Sequence, residues 1–425
     1  MSAGGKVAET HRRRSKAIVM NVSTSFASVM LIVLLVAQVD PAAGDTPPQK
    51  QLKTYALPDG TQSADISPDE QSVVTVALRK LDVPDSEKKT IVNVVQLWSF
   101  KEGKQLAEFA AKQAEAREAP KGYHLDRSRT EPIVRFFPDG SLVVALIDRT
   151  IHVLRTADLA ELRAIPVDAP ENVTRTGPSG WTIVHEPSIR AMELSPGGQE
   201  LAILWVSYMI HGRIQLYDLS SGKGTLSWNT PIGWIHSRSI AWHPNGKLLL
   251  AAIPNEIPCR PPSREPDVFA FDVETGAIRR KFTTGLFTES IAVTADSRVL
   301  AVDSDCLGVF RNHDPKLKVF DLFSGKRLID VSGRGAGVRY SVSASADGSR
   351  FLAFTGIMKT KFDWSDAVPY DKVVDEAFSV WSLTSYEGVV TSQNIPGLKK
   401  SGLRLSAKGN YAVSYGKASF VYELP

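Results

Sequence analysis

A four-residue turn recurs seven times along this 425-residue chain, and any fold must accommodate that repeat. It reads Ser67-Pro68-Asp69-Glu70, Phe137-Pro138-Asp139-Gly140, Ser195-Pro196-Gly197-Gly198 and His243-Pro244-Asn245-Gly246, then Thr294-Ala295-Asp296-Ser297, Ser345-Ala346-Asp347-Gly348 and Ser406-Ala407-Lys408-Gly409. Proline presets the backbone for the second position of a turn, Asp or Asn bonds its own backbone, and Gly accepts a positive φ. Short apolar runs flank each copy, such as Ala191-Met192-Glu193-Leu194 before and Leu201-Ala202-Ile203-Leu204 after. These are strand lengths; helices would need longer runs at a different period.

A third run follows in each unit, and six of the seven carry an aromatic near its end. Examples are Gln96-Leu97-Trp98-Ser99, Ile214-Gln215-Leu216-Tyr217-Asp218, Phe269-Ala270-Phe271-Asp272 and Ser379-Val380-Trp381-Ser382. The second unit has only Ile151-His152-Val153-Leu154-Arg155. Gly103, Gly222, Gly276, Gly325 and Gly388 then open a turn into a fourth run. Successive turns lie 48 to 70 residues apart, the shorter gaps near the period of propeller blades and the longer ones carrying insertions.

Turn, strand, aromatic-Asp strand end and Gly turn, in that order, resemble the WD-repeat β-propeller family over residues 51–425. Asp218, Asp272 and Asp321 stand where that family carries the Asp of its Trp-Asp dipeptide. The chain contains no Gly-His pair, and Ser99, Ser382 and Glu423 replace the Asp elsewhere, so the family's His–Asp network is not carried over. The resemblance implies an all-β, seven-bladed β-propeller of four-stranded blades, divergent and WD-like, held by packed apolar faces. The last unit stops after its third strand, at Pro425, while Gln51–Leu57 forms a spare strand at the front. That segment is expected to supply the missing outer strand and close the ring.

Residues 1–44 read as a targeting segment. Basic residues His11 to Lys16 precede an apolar stretch, Ala17 to Val39, and the small residues Ala42-Ala43-Gly44 follow. This layout is that of a cleaved signal peptide, with an uncleaved membrane anchor as the alternative. The bulk of the chain is then exported, to periplasm, cell surface or medium, and residues 45–50 form a linker. Of the net charge of +4, residues 1–44 hold +3, leaving the rest near neutral and excluding the basic surface that nucleic acid requires.

Elaboration is one-sided. The first-to-second-strand turns are all tight, whereas second-to-third-strand loops are long at Arg79–Thr90, Pro254–Pro266, Asp303–Lys316 and Gly356–Ala377. The inter-blade segments Ala110–Glu131 and Asp168–Pro187 are long too, and in a WD-type blade all of these open on one face. Loops grown on one face of a rigid scaffold are where binding usually resides. Candidate binding-face residues there are Trp181, His185, Trp234, His236, Trp364 and Tyr370. The only cysteines, Cys259 and Cys306, fall in corresponding loops of units four and five, and are a disulfide candidate in an exported protein.

No catalytic residue, cofactor or metal is indicated. There is no Gly-x-Ser-x-Gly elbow, His185-Glu186 lacks the second His of a zincin, and Gly333–Gly337 lies between strands rather than opening a helix. The expected function is a protein-binding or scaffolding module working through the long-loop face; the membrane enters only through an N-terminal anchor. The alternative is a propeller enzyme, lactonase- or quinoprotein-like, with its site at the mouth of the central channel.

Overall fold

The computed structural model describes residues 52–82, 89–111, 124–126, 131–176, 182–207, 211–231, 240–253, 265–285, 288–303, 316–332, 341–346, 349–357, 375–382, 388–393, 402–416 and 419–424. The turn repeat organises them as its chemistry requires. Six blades are each built from four consecutive antiparallel strands, with inner strands Thr61–Ile66, Ile133–Phe136, Ser188–Leu194, Ile240–Trp242, Thr288–Val293 and Ser341–Ala344. A further four-stranded sheet is composite. Gly402–Leu405, Tyr411–Tyr415 and Ser419–Glu423 come from the end of the chain, and Thr54–Leu57 joins them from the beginning, Thr54 opposite Tyr422 and Leu57 opposite Ser419. The seven turn copies thus resolve into six continuous blades and one sheet shared by the two chain ends.

Hydrophobic burial drives this arrangement, because each sheet is apolar on both faces and has to be covered by its neighbours. One cluster joins Val74, Val95 and Leu97 of blade one to Val134 and Val143 of blade two. Another joins Leu352 of blade six to Leu403, Leu405 and Tyr422 of the composite sheet. A third joins the composite sheet to blade one through Ala64, Ile66, Phe100, Tyr411 and Val421. At that seam Phe100 stacks edge-on against Tyr55 and Tyr411, both at 5.3 Å. Fully burying each such side chain contributes roughly 1.5–3 kcal/mol, so the two chain ends are held by packing as well as by strand pairing.

Every inner strand ends at its tight turn, which puts the turns on one face. There the fourth turn residue of one blade leans on the turn of the blade before it. A Cβ at Gly198, where φ is 71°, would come within 3.0 Å of Pro138 and 3.1 Å of Phe137, so glycine is required there for both shape and space. Non-glycine residues at this position carry bonds instead. Ser297, at φ 65°, meets His243 Nε2 at 2.9 Å. Glu70, at φ 61°, crosses the closing seam, accepting hydrogen bonds from Ser406 Oγ at 2.6 Å and Asn410 Nδ2 at 2.8 Å.

The aspartates aligned with the family's dipeptide act locally. Asp218 Oδ1 accepts hydrogen bonds from the backbone N–H groups of Ser220 and Ser221 at 2.7 and 2.8 Å. Asp272 and Asp321 do the same for Thr275 and Ser324. Bonds to Ser220 first, then Ser221, hold the Asp218 carboxyl below the usual range. These side chains cap the turn into the outer strand rather than tying a buried network.

Two expected loops are shorter than the sequence suggests. In blade one the hairpin Ser72–Asp82 and Lys89–Ser99 stays paired out to Asp82 opposite Lys89, well into the segment read as a loop. Leu78 and Arg79 are already exposed on the blade's second strand, and Arg79 is held there by a bidentate pair with Glu108 at 2.6 and 2.9 Å. In blade six, Ile357 still pairs with Asp375.

Candidate functional site

Three features go beyond the repeat: one inside the ring, one between blades four and five, and one on the long-loop face.

Inside the ring, the residue two before each turn stands at one register position in every inner strand: Asp65, Arg135, Glu193, Ala241, Ala292, Ser343 and Arg404. Four of the seven are charged, and they meet. Arg404 Nε binds Asp65 Oδ1 at 2.8 Å, and its two terminal nitrogens reach Glu193 at 3.2 and 3.4 Å. Arg135 Nη2 reaches Glu193 Oε1 at 3.3 Å. The second Asp65 oxygen accepts the Phe136 N–H at 2.9 Å. Arg404 sits on the composite sheet and Glu193 on blade three, with blades one and two between them in the ring, so their bond spans the central channel.

Burial raises the pKa of Glu193, but attraction to Arg404 and then Arg135 outweighs it and brings the group down to about 2. Burial acts to lower the pKa of Arg404, and Glu193 and Asp65 reverse that and raise it. The Glu193 carboxylate is therefore held ionised and matched by two guanidinium groups. Among the described residues, no three His, Cys, Asp or Glu side chains come together to hold a metal.

A separate buried carboxylate, Asp267, lies between blades four and five at the other end of the strands. It accepts the Thr284 N–H at 2.7 Å, the Thr284 hydroxyl, and the Thr288 hydroxyl at 3.1 Å. Lys318 Nζ donates to Thr284 O at 2.8 Å. Desolvation dominates and raises the Asp267 pKa despite those donors. This cluster pins the inter-blade segment to the edge of blade four.

On the long-loop face, the two long inter-blade segments find each other. Val173–Thr176 and Thr182–His185 form an antiparallel hairpin, and His124–Asp126, from the segment before blade two, pairs in parallel with Thr182–His185. The three strands form an accessory sheet outside the blades.

Of the candidate binding residues, His185 is placed in this sheet, opposite Val173 and Asp126, and is buried at 7 % exposure. Trp181, Trp234, His236, Trp364, Tyr370, Cys259 and Cys306 lie outside the described residues, as does the stretch 1–44 read as a targeting segment. Sequence reasoning missed the channel charges. The signal was there: aligned on their turns, the seven inner strands show a charged residue breaking the apolar run at one position in four copies.

No protein-family model matches the chain, and no curated protein matches it. Among solved structures the chain is similar to one from the hydrazine synthase of Kuenenia stuttgartiensis, with TM-score 0.53 and 14% identity, covering 89% of this chain and 98% of that one. At that identity the likeness is one of fold, a β-propeller.

Proposed function

We propose that this chain is an exported, divergent WD-like propeller that binds a protein partner through its long-loop face, with the composite sheet serving as the seventh blade. The observation that carries this reading is the accessory sheet. Ring geometry requires neither insertion, yet segments on either side of blade two are joined there by strand pairing, Ile183 opposite His124 and His185 opposite Asp126. A folded extension on a rigid ring is a means of recognition. The channel carboxylates Glu193 and Asp65, by contrast, are committed to arginines. Export is supported by the basic and apolar pattern of residues 11–44.

The test is cross-linking capture from the native envelope, with the full chain and with a variant whose 173–185 hairpin is replaced by a Gly-Ser linker. The reading expects a protein species captured by the first and lost with the second. Capture unchanged by the replacement counts against the long-loop face.

A further inference from the structure

The turn between the second and third strands of blade two holds two adjacent residues in the left-handed region, Asp148 at φ 47° and Arg149 at φ 70°. Ile147 pairs directly with Thr150, so this is a two-residue hairpin loop needing positive φ at both centres, a geometry that favours glycine second. Arginine there is strained, and strain of this kind persists where surrounding contacts over-determine it.

Those contacts reach blade three and the segment that joins it to the accessory sheet. Arg149 Nη2 donates to Pro187 O at 3.0 Å and lies 3.8 Å from Glu186 Oε2. Its guanidinium sits 5.7 Å from the ring centre of Trp205, which is itself buried and donates to Gln215 Oε1 at 2.5 Å. Glu186 and Pro187 are the two residues joining the hairpin strand Thr182–His185 to the inner strand Ser188–Leu194. A planar, permanently charged fork can stack on the indole and bond the carbonyl together, which a lysine ammonium does less well.

We infer that Arg149 is a positioning residue, a clasp that fixes the accessory sheet against blades two and three and so sets the geometry of the binding face. The inference rests on the long-loop face being the working one. The strained turn is retained because glycine, which suits the backbone, would release the sheet.

Hydrogen exchange read by mass spectrometry on the full chain tests this with Arg149→Gly and Arg149→Lys. Arg149→Gly should speed exchange across 173–176 and 182–187 about tenfold, the scale of one lost charged hydrogen bond. Exchange in the blade-two strands Leu142–Ile147 and Thr150–Arg155 should stay the same or slow, since their turn relaxes. Arg149→Lys should restore part of the protection. Unchanged exchange in the accessory sheet overturns the clasp, and so does an Arg149→Gly ring that melts early, because Arg149 would then support the blade itself. Partner capture by the same variant separates the two readings: a loosened sheet with normal capture leaves the clasp standing and removes the working face.

Discussion

Glu70 and Arg149 occupy equivalent backbone conformations on opposite faces of the ring, at φ 61° and 70°, where glycine would be easier. Glu70 lies on the turn face, and its carboxylate reaches across the closing seam to Ser406 and Asn410 of the composite sheet. Arg149 lies on the long-loop face and holds the approach to the accessory sheet against Trp205 of blade three. The same local cost therefore supports two different things: the closure of the whole ring in one case, and the seating of an extension in the other. Changes on the turn face should be felt globally, and changes on the long-loop face locally.

The sharpest way to break that contrast is in the channel. Glu193→Ala leaves Arg135 without a carboxylate and Arg404 with Asp65 alone inside the ring, and should destabilise the fold by about 3–5 kcal/mol in chemical denaturation. A loss below about 1 kcal/mol would mean that water screens the layer.

Next is Glu70→Gly, which relieves the backbone but removes charged hydrogen bonds across the seam. A net loss of about 1–3 kcal/mol is expected, whereas Arg149→Gly should leave global stability unchanged or slightly raised. Equal losses for the two would erase the distinction between the faces.

Acid provides a graded version. With Glu193 held at about 2 in the fold against an ordinary value of 4.5, its contribution is fully present above the ordinary value and is lost as pH falls from there toward 2. The acid-unfolding curve of Glu193→Gln should lack that component between those limits; a curve parallel to the parent's would place the acid-sensitive group elsewhere.

The smallest effect is expected for Ser297→Gly. It gives up the His243 contact while relaxing φ, so its melting midpoint should lie within about 2 °C of the parent's. A larger drop would mean that the turn-to-turn contacts are individually stronger than Glu70 suggests.

The turn face was the more readable half for a physical reason. Pro68, Asp139 and Gly198 shape turns by local backbone chemistry, so each copy announces itself within four residues. Closure by the front strand was legible because the final unit ends one strand short. The channel layer was not: Asp65 and Arg404 are distant in sequence, and only ring closure sets them 2.8 Å apart. The accessory sheet was hidden for a similar reason, since His124–Asp126 is too short to signal a strand and gains one only from its partner. Arg79 to Thr90 was misread in part because Arg79, Lys80, Asp82 and Lys89 break the apolar alternation by which strands are recognised.

One paired measurement addresses the central claim that the turn face and closing seam hold the ring while the long-loop extension rides on it. Thermal unfolding of two variants, one lacking Leu52–Leu57 and one with the 173–185 hairpin replaced by a Gly-Ser linker, should separate them widely. Loss of the front strand exposes an unpaired edge and the Phe100 seam, and should lower the midpoint by more than about 10 °C or abolish cooperative melting. Loss of the hairpin should shift it by no more than about 3 °C. Two equal shifts, or a front-strand truncation that melts like the parent, would contradict the account.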